Sequence, residues 1–187
     1  ERSLLRDLRW AINASIDRSE MITSLRNGVG VPATGGIIPA GLPGHRSDIG
    51  IGYAPDSAKS IIASYEELPA LTLTTVANYR DLCEFVQGAL AKLGWDIAVN
   101  VVPSAALRSE KSAGTLDFFR ASWIADYPDA ANYLMLFSSD MKAPNGPNYS
   151  RYSSSTFDSL YHSIQYAPFG PERTALLSQA DAFLTEE

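Results

Sequence analysis

The chain has 187 residues, enough for one compact unit with a sizeable core, and its 45% hydrophobic and 19% charged content is that of a globular protein. No apolar run approaches the roughly 18 residues that a membrane-spanning helix needs. Fifteen basic against 21 acidic residues give a net charge of −6 without a basic stripe, which argues against nucleic acid or anionic lipid as a partner.

Leu4, Leu5, Leu8, Ile12 and Ile16 fall on one face of a first helix, and Asp17 with Glu20 forms a capping signal for a second, which Gly28 ends. Residues 29–52 hold seven glycines among small and apolar residues. They have too little periodicity for an element and too much apolar character for a disordered linker, so an ordered surface crossing is expected. Pro55 suits the first turn of a short helix reaching Tyr65.

Residues 71–76 read as a strand, after which Asn78 is expected to cap a helix whose Tyr79, Leu82, Cys83, Val86, Leu90 and Leu93 share one face. Gly94 ends that helix, and the alternation of Trp95, Ile97, Val99 and Val101 predicts a second strand over 95–102. A short helix over 104–112 and a third strand over 116–123 make a second β-α-β unit. Beyond Pro128 a helical stretch runs to Phe137. It is followed by a polar connection, residues 138–153, longer than ordinary, and loops of that length often border ligands. Phe157, Leu160, Tyr161 and Ile164 mark one more helix, and Pro171 opens the last, with Leu176, Leu177, Ala180, Phe183 and Leu184 on its buried face.

The most informative stretch lies where the third strand runs into a proline-braked turn, because α/β proteins place ligands at strand ends. There Arg120 and Asp126 flank Trp123 at three residues on either side. Six residues of extended chain span at most roughly 20 Å, so a short zwitterion fits between the two charges. By residue type alone, Asp126 and Asp129 read first as a solvated turn, then as a ligand contact, and last as a catalytic carboxylate pair. Asp129 also suits capping of the following helix. A strand arginine such as Arg120 is commonly paired with a structural carboxylate, yet its planar fork also fits a ligand carboxylate.

The segment Arg120-Ala-Ser-Trp-Ile-Ala-Asp126-Tyr resembles the part of bacterial oligopeptide-binding proteins, the extracytoplasmic receptors of peptide ABC transporters, that lines the peptide site in their second lobe. Further similarities follow in family order. They are the stretch from Leu8 to Arg18, Ile38-Pro-Ala-Gly-Leu-Pro43, the stretch from Tyr53 to Lys59, Asn148-Tyr-Ser-Arg-Tyr152 and Phe157-Asp158. The resemblance implies an α/β fold with a mixed sheet flanked by helices, lobe II of a type II periplasmic-binding-protein fold. It implies one domain over 1–187, a partial second lobe, with the first lobe and a final C-terminal strand outside these residues. It also implies that Asp126 takes a peptide's α-ammonium, that Arg120 meets its carboxylate and that Trp123 packs at the mouth of the site. The partners would be a short peptide or similar small solute and an ABC permease in the cytoplasmic membrane. The place would be periplasmic or extracytoplasmic, free or lipid-anchored.

No cofactor is expected. His45 and His162 lie far apart without Cys or Glu at ligand spacing, so both are expected at the surface and no metal site is predicted. Cys83 sits at an apolar helical position and reads as buried filler. No serine stands in G-x-S-x-G, and neither the phosphate-loop nor the dinucleotide pattern occurs, so nothing demands an enzyme. Alternatives remain within the family, whose ligands include nickel complexes, glutathione, haem and oligosaccharides. Outside it stand a hydrolase using Asp126 and Asp129, and a pure protein-interaction domain.

Overall fold

The computed structural model describes residues 2–186, with side chains from residue 6. Leu4 and Leu5, predicted on the buried face of the first helix, therefore have side chains outside the described set. In chain order the elements are α1 (Arg2–Ala14), α2 (Arg18–Leu25), α3 (Pro55–Ala63), β1 (Thr72–Thr75), α4 (Arg80–Ala91), β2 (Ala98–Val101), α5 (Ser104–Ala113), β3 (Phe118–Phe119), α6 (Ala131–Leu134), α7 (Ser155–Tyr166) and α8 (Pro171–Glu186). The described chain groups into two compact units, each with its own apolar core. One unit takes residues up to Pro32, Ile51–Ser109 and Leu116–Ala121. The other takes Ala33–Gly50, Glu110–Thr115 and the residues from Ser122 onward.

The first unit holds the sheet, in the order β2-β1-β3, and every pairing among the described residues is parallel. β1 lies in the middle, and its Leu73, Thr74 and Thr75 are buried. Leu73 faces a core made with Cys83 and Leu90 of α4, Trp95, Ile97, and the small residues Ala11 and Ala14 of α1 and Ala58 of α3. The small side chains let α1 and α3 approach closely, and the Ala54 N–H donates to the Ala14 carbonyl at 2.9 Å. The turn after α4 closes at Gly94, whose φ of 90° is open to glycine, and the Trp95 N–H then reaches back to the Leu90 carbonyl.

Three expectations for this unit need correction. Asn78 does not cap α4. It sits in a 3-10 turn, Ala77–Tyr79, that leads directly into the helix at Arg80. The second strand begins at Ala98, because Trp95 and Ile97 are spent burying the chain before the ladder starts, the Trp95 indole donating to the Pro69 carbonyl. The third strand, predicted over 116–123, is two residues long. The Arg120 N–H still reaches the Thr74 carbonyl at 2.9 Å, but no ladder partner follows.

The second unit packs α6, α7 and α8 around Ile38, Leu134, Phe157, Tyr161, Ile164 and Leu177. Phe157, fully buried, meets Tyr152 edge-on and stacks with Tyr161. The segment 33–50 is tied to α8. The Asp181 Oδ1 accepts from the Ile37 and Ile38 N–H groups, and the Ser178 hydroxyl donates to the Gly44 carbonyl. The long connection 138–153 packs on itself. Asn148, fully buried, donates to the Ser138 and Tyr152 carbonyls and accepts from the Ser150 hydroxyl, and Arg151 reaches the carbonyls of Lys111 and Ser112.

Candidate functional site

Arg120 belongs to the first unit, whereas Trp123, Asp126 and Asp129 belong to the second. The Arg120 guanidinium lies 3.3 Å over the Tyr79 ring, and among the described residues it has no carboxylate partner. Stacking on an aromatic face leaves the edge donors of a guanidinium open. Arg120 also borders a groove of about 340 Å3 in the first unit, lined by apolar side chains that include Ile12, Ile16, Leu73, Leu82 and Phe118. Cys83 lies at that groove, 2% exposed, and burial pushes its thiol up, with the Thr75 hydroxyl and Arg120 opposing. A thiol so placed is core material, as its sequence position suggests.

From Ser122 to Asp126 exposure alternates, with Ser122, Ile124 and Asp126 exposed and Trp123 and Ala125 half-buried, as an extended chain resting one face on its own unit requires. Among the described residues no backbone N–H or C=O of 122–126 has a partner. The Asp126 carboxylate is equally unengaged by protein groups, and Ile124 beside it is 88% exposed. Trp123 is anchored, because its Nε1–H donates to Asn132 Oδ1 at 2.6 Å.

Asp129 is the opposite case. Its Oδ1 accepts the Ala131 N–H at 2.9 Å, which is the capping role expected of it, and both its oxygens receive Arg173 Nη2 at 3.1 and 2.9 Å. Arg173 also donates through Nε to the Ile164 carbonyl, so one guanidinium ties α8 to α7 and to the turn before α6. The hydrolase alternative loses its second carboxylate here, since a group held this way is not free to move a proton. His45, expected at the surface, is half-buried with Nδ1 against the Ile38 carbonyl at 2.8 Å, and His162 is exposed against the Tyr166 ring. Among the described residues no group of three His, Cys, Asp or Glu side chains is placed to hold a metal ion, and no helix is long and apolar enough to cross a membrane. Sequence reasoning missed Asn132 and Arg173. Asn132 lies in the short helical run just after the motif, where nothing distinguishes a structural asparagine from a solvated one.

The architecture is α/β, with a parallel sheet flanked by helices. The model of the family described as bacterial extracellular solute-binding proteins, family 5 Middle, matches residues 6–145, and the chain belongs to this family of substrate-binding proteins, which are not enzymes. The chain is 26% identical to the probable D,D-dipeptide-binding periplasmic protein DdpA of Escherichia coli (strain K12) over 188 residues, 97% of this chain and 36% of that protein. Among solved structures, the ABC transporter-associated periplasmic binding protein DppA from Helicobacter pylori, in complex with the peptide STSA, superposes with a TM-score of 0.85 at 24% identity. That match covers 100% of this chain and 38% of that one. A peptide-binding protein of a peptide ABC transporter superposes with a TM-score of 0.78 at 25% identity, covering 96% of this chain and 86% of that one. The chain thus spans about a third of the length of the curated relatives it matches, 36% and 35%.

Proposed function

We propose that these residues form part of the second-lobe wall of a receptor that captures short peptides for an ABC importer, with Asp126 as the partner of the peptide's α-ammonium. The observation that carries this reading is an exposed carboxylate without a protein partner among the described residues, at the end of an irregular segment whose main-chain groups are likewise unpartnered among them. A peptide is the complement of both. Its main chain can add to the free N–H and C=O groups of 122–126 without regard to side chains, and its ammonium makes a charge-assisted bond that fixes direction. Arg120, with no carboxylate of its own among the described residues, is read as the partner of a ligand carboxylate, and Trp123 as the packing residue at the mouth of the site.

The reading is supported by the relatives. One is named for D,D-dipeptides and one was solved with a peptide bound. The receptor works outside the cytoplasmic membrane, in the periplasm or held at the cell surface by a lipid, and delivers its ligand to a permease. Native mass spectrometry of the full-length protein as purified tests this, with a short free-amine peptide as the expected passenger. A nickel complex or an oligosaccharide held in its place would overturn the peptide reading.

A further inference from the structure

We propose that Asn132 is a positioning residue for Asp126, acting through the Trp123 indole. The inference rests on the reading of Asp126 as the ammonium partner. Asn132 is 1% exposed, placed between the buried Ala131 and Leu134 of α6. Its Oδ1 accepts the Trp123 Nε1–H, while its Nδ2 is buried without a protein partner among the described residues. An indole nitrogen only donates, so the amide must present its oxygen to it and turn its own N–H groups away. An apolar side chain would fill this position in the core with no donor left unmet. What asparagine adds is the acceptor that fixes Trp123.

The other end of the same stretch is fixed as well. Asp129 is held by the Ala131 N–H and by Arg173, and the Asn132 N–H donates to the Asp129 carbonyl at 3.0 Å. Asp126 lies midway between Trp123 and Asp129, and Ile124, Ala125 and Asp126 make no hydrogen bond to protein among the described residues. The carboxylate is therefore carried on a short span anchored at both ends, so little ordering remains to be done when a ligand arrives. This leads to an asymmetry that simple structural support would not produce. Loosening Trp123 should weaken ligands that use Asp126 more than ligands that do not.

The test titrates trialanine and N-acetyl-trialanine by calorimetry into the full-length protein and its Asp126→Asn, Asn132→Leu, Trp123→Phe and Asn132→Leu/Trp123→Phe variants. The readout is the ratio of the two dissociation constants. Asp126→Asn should abolish the preference for the free amine. Asn132→Leu and Trp123→Phe should each reduce it by roughly 3- to 10-fold, and the double variant by no more than either alone, because both remove one bond. In a 15N spectrum the Trp123 indole signal should shift in Asn132→Leu while the signals of α7 and α8 stay in place. If Asn132→Leu does not fold, Trp123→Phe removes the same bond with a ring retained and decides alone. An unchanged ratio in these variants, with the preference erased in Asp126→Asn, overturns the role of Asn132 and leaves that of Asp126 intact. A preference that survives in Asp126→Asn overturns the reading of Asp126 itself.

Discussion

Residues 122–126 and 129–134 follow one another in the second unit and are built to opposite rules. In the first stretch the main chain is irregular, Ile124 stands in solvent, and among the described residues neither the main-chain groups nor the Asp126 carboxylate have a protein partner. In the second, Asp129 is held by a backbone N–H and by Arg173, whose Nη2 donates to both carboxylate oxygens, and Asn132 is only 1% exposed. Two aspartates three residues apart thus separate a group the fold leaves open from one it consumes. The chemical type of a side chain did not decide between them. The partners did.

The comparison breaks most visibly at the ion pair. The Asp129 and Arg173 side chains are 14% and 10% exposed, and removing one partner strands the other's charge away from water. Asp129→Ala should cost about 3 kcal/mol, lowering the melting temperature by roughly 6–12 °C, whereas Asp126→Ala should leave it nearly unchanged. Differential scanning calorimetry of both variants checks this, and similar losses would erase the distinction. Next in size is Asn148, whose side chain satisfies two carbonyls and one hydroxyl inside 138–153. Asn148→Leu should cost roughly 2 kcal/mol and leave ligand affinity alone, since the loop packs on itself. Chemical denaturation with a binding titration reads both, and a loss of affinity without a loss of stability would return this loop to the ligand site.

A smaller effect concerns pH. Burial pushes the Asp181 carboxyl up, against the N–H groups of Ile37 and Ile38 and the nearby charges of His45 and Arg46. Its Oδ1 accepts both N–H groups while Oδ2 is buried without a protein partner among the described residues, so Oδ2 is the oxygen left to take a proton when the carboxyl is protonated. A folded-state pKa above the unfolded one means that the contribution is full at pH below the unfolded carboxyl value and is lost as pH rises through the raised one. Asp181→Asn, which keeps the acceptor and replaces the charged oxygen by a neutral donor, should flatten that decline and be at least as stable as the native protein at pH 7. A wild type that gains stability over the same rise would contradict the assignment.

Much of this is legible in the sequence. The period of Cys83, Val86 and Leu90 gives α4, Asp17 accepts the Glu20 N–H as its spacing predicts, and the alternation after Gly94 points to β2. The strand-end motif put Trp123, Asp126 and Asp129 within a few residues of one another. What the sequence hid was pairing. Apolar and aromatic residues over 116–123 look like a full strand, but a strand lasts only as long as its partner offers hydrogen bonds, and β1 offers few to β3. Arg173 meets Asp129 across 44 residues, and no local pattern announces such a contact. The division into two units was hidden for the same reason, since 33–50 and 110–115 carry no compositional mark of the unit they join.

The central claim, that Asp126 is left open for a ligand's ammonium, is tested most directly by calorimetric titration of trialanine and its N-acetylated analogue into the full-length protein and its Asp126→Asn variant. The account predicts that the variant keeps the native melting temperature and loses affinity for the free-amine peptide by about 2–5 kcal/mol, roughly 30-fold or more, with little change for the acetylated one. Equal losses for the two peptides, or no loss for either, would contradict it.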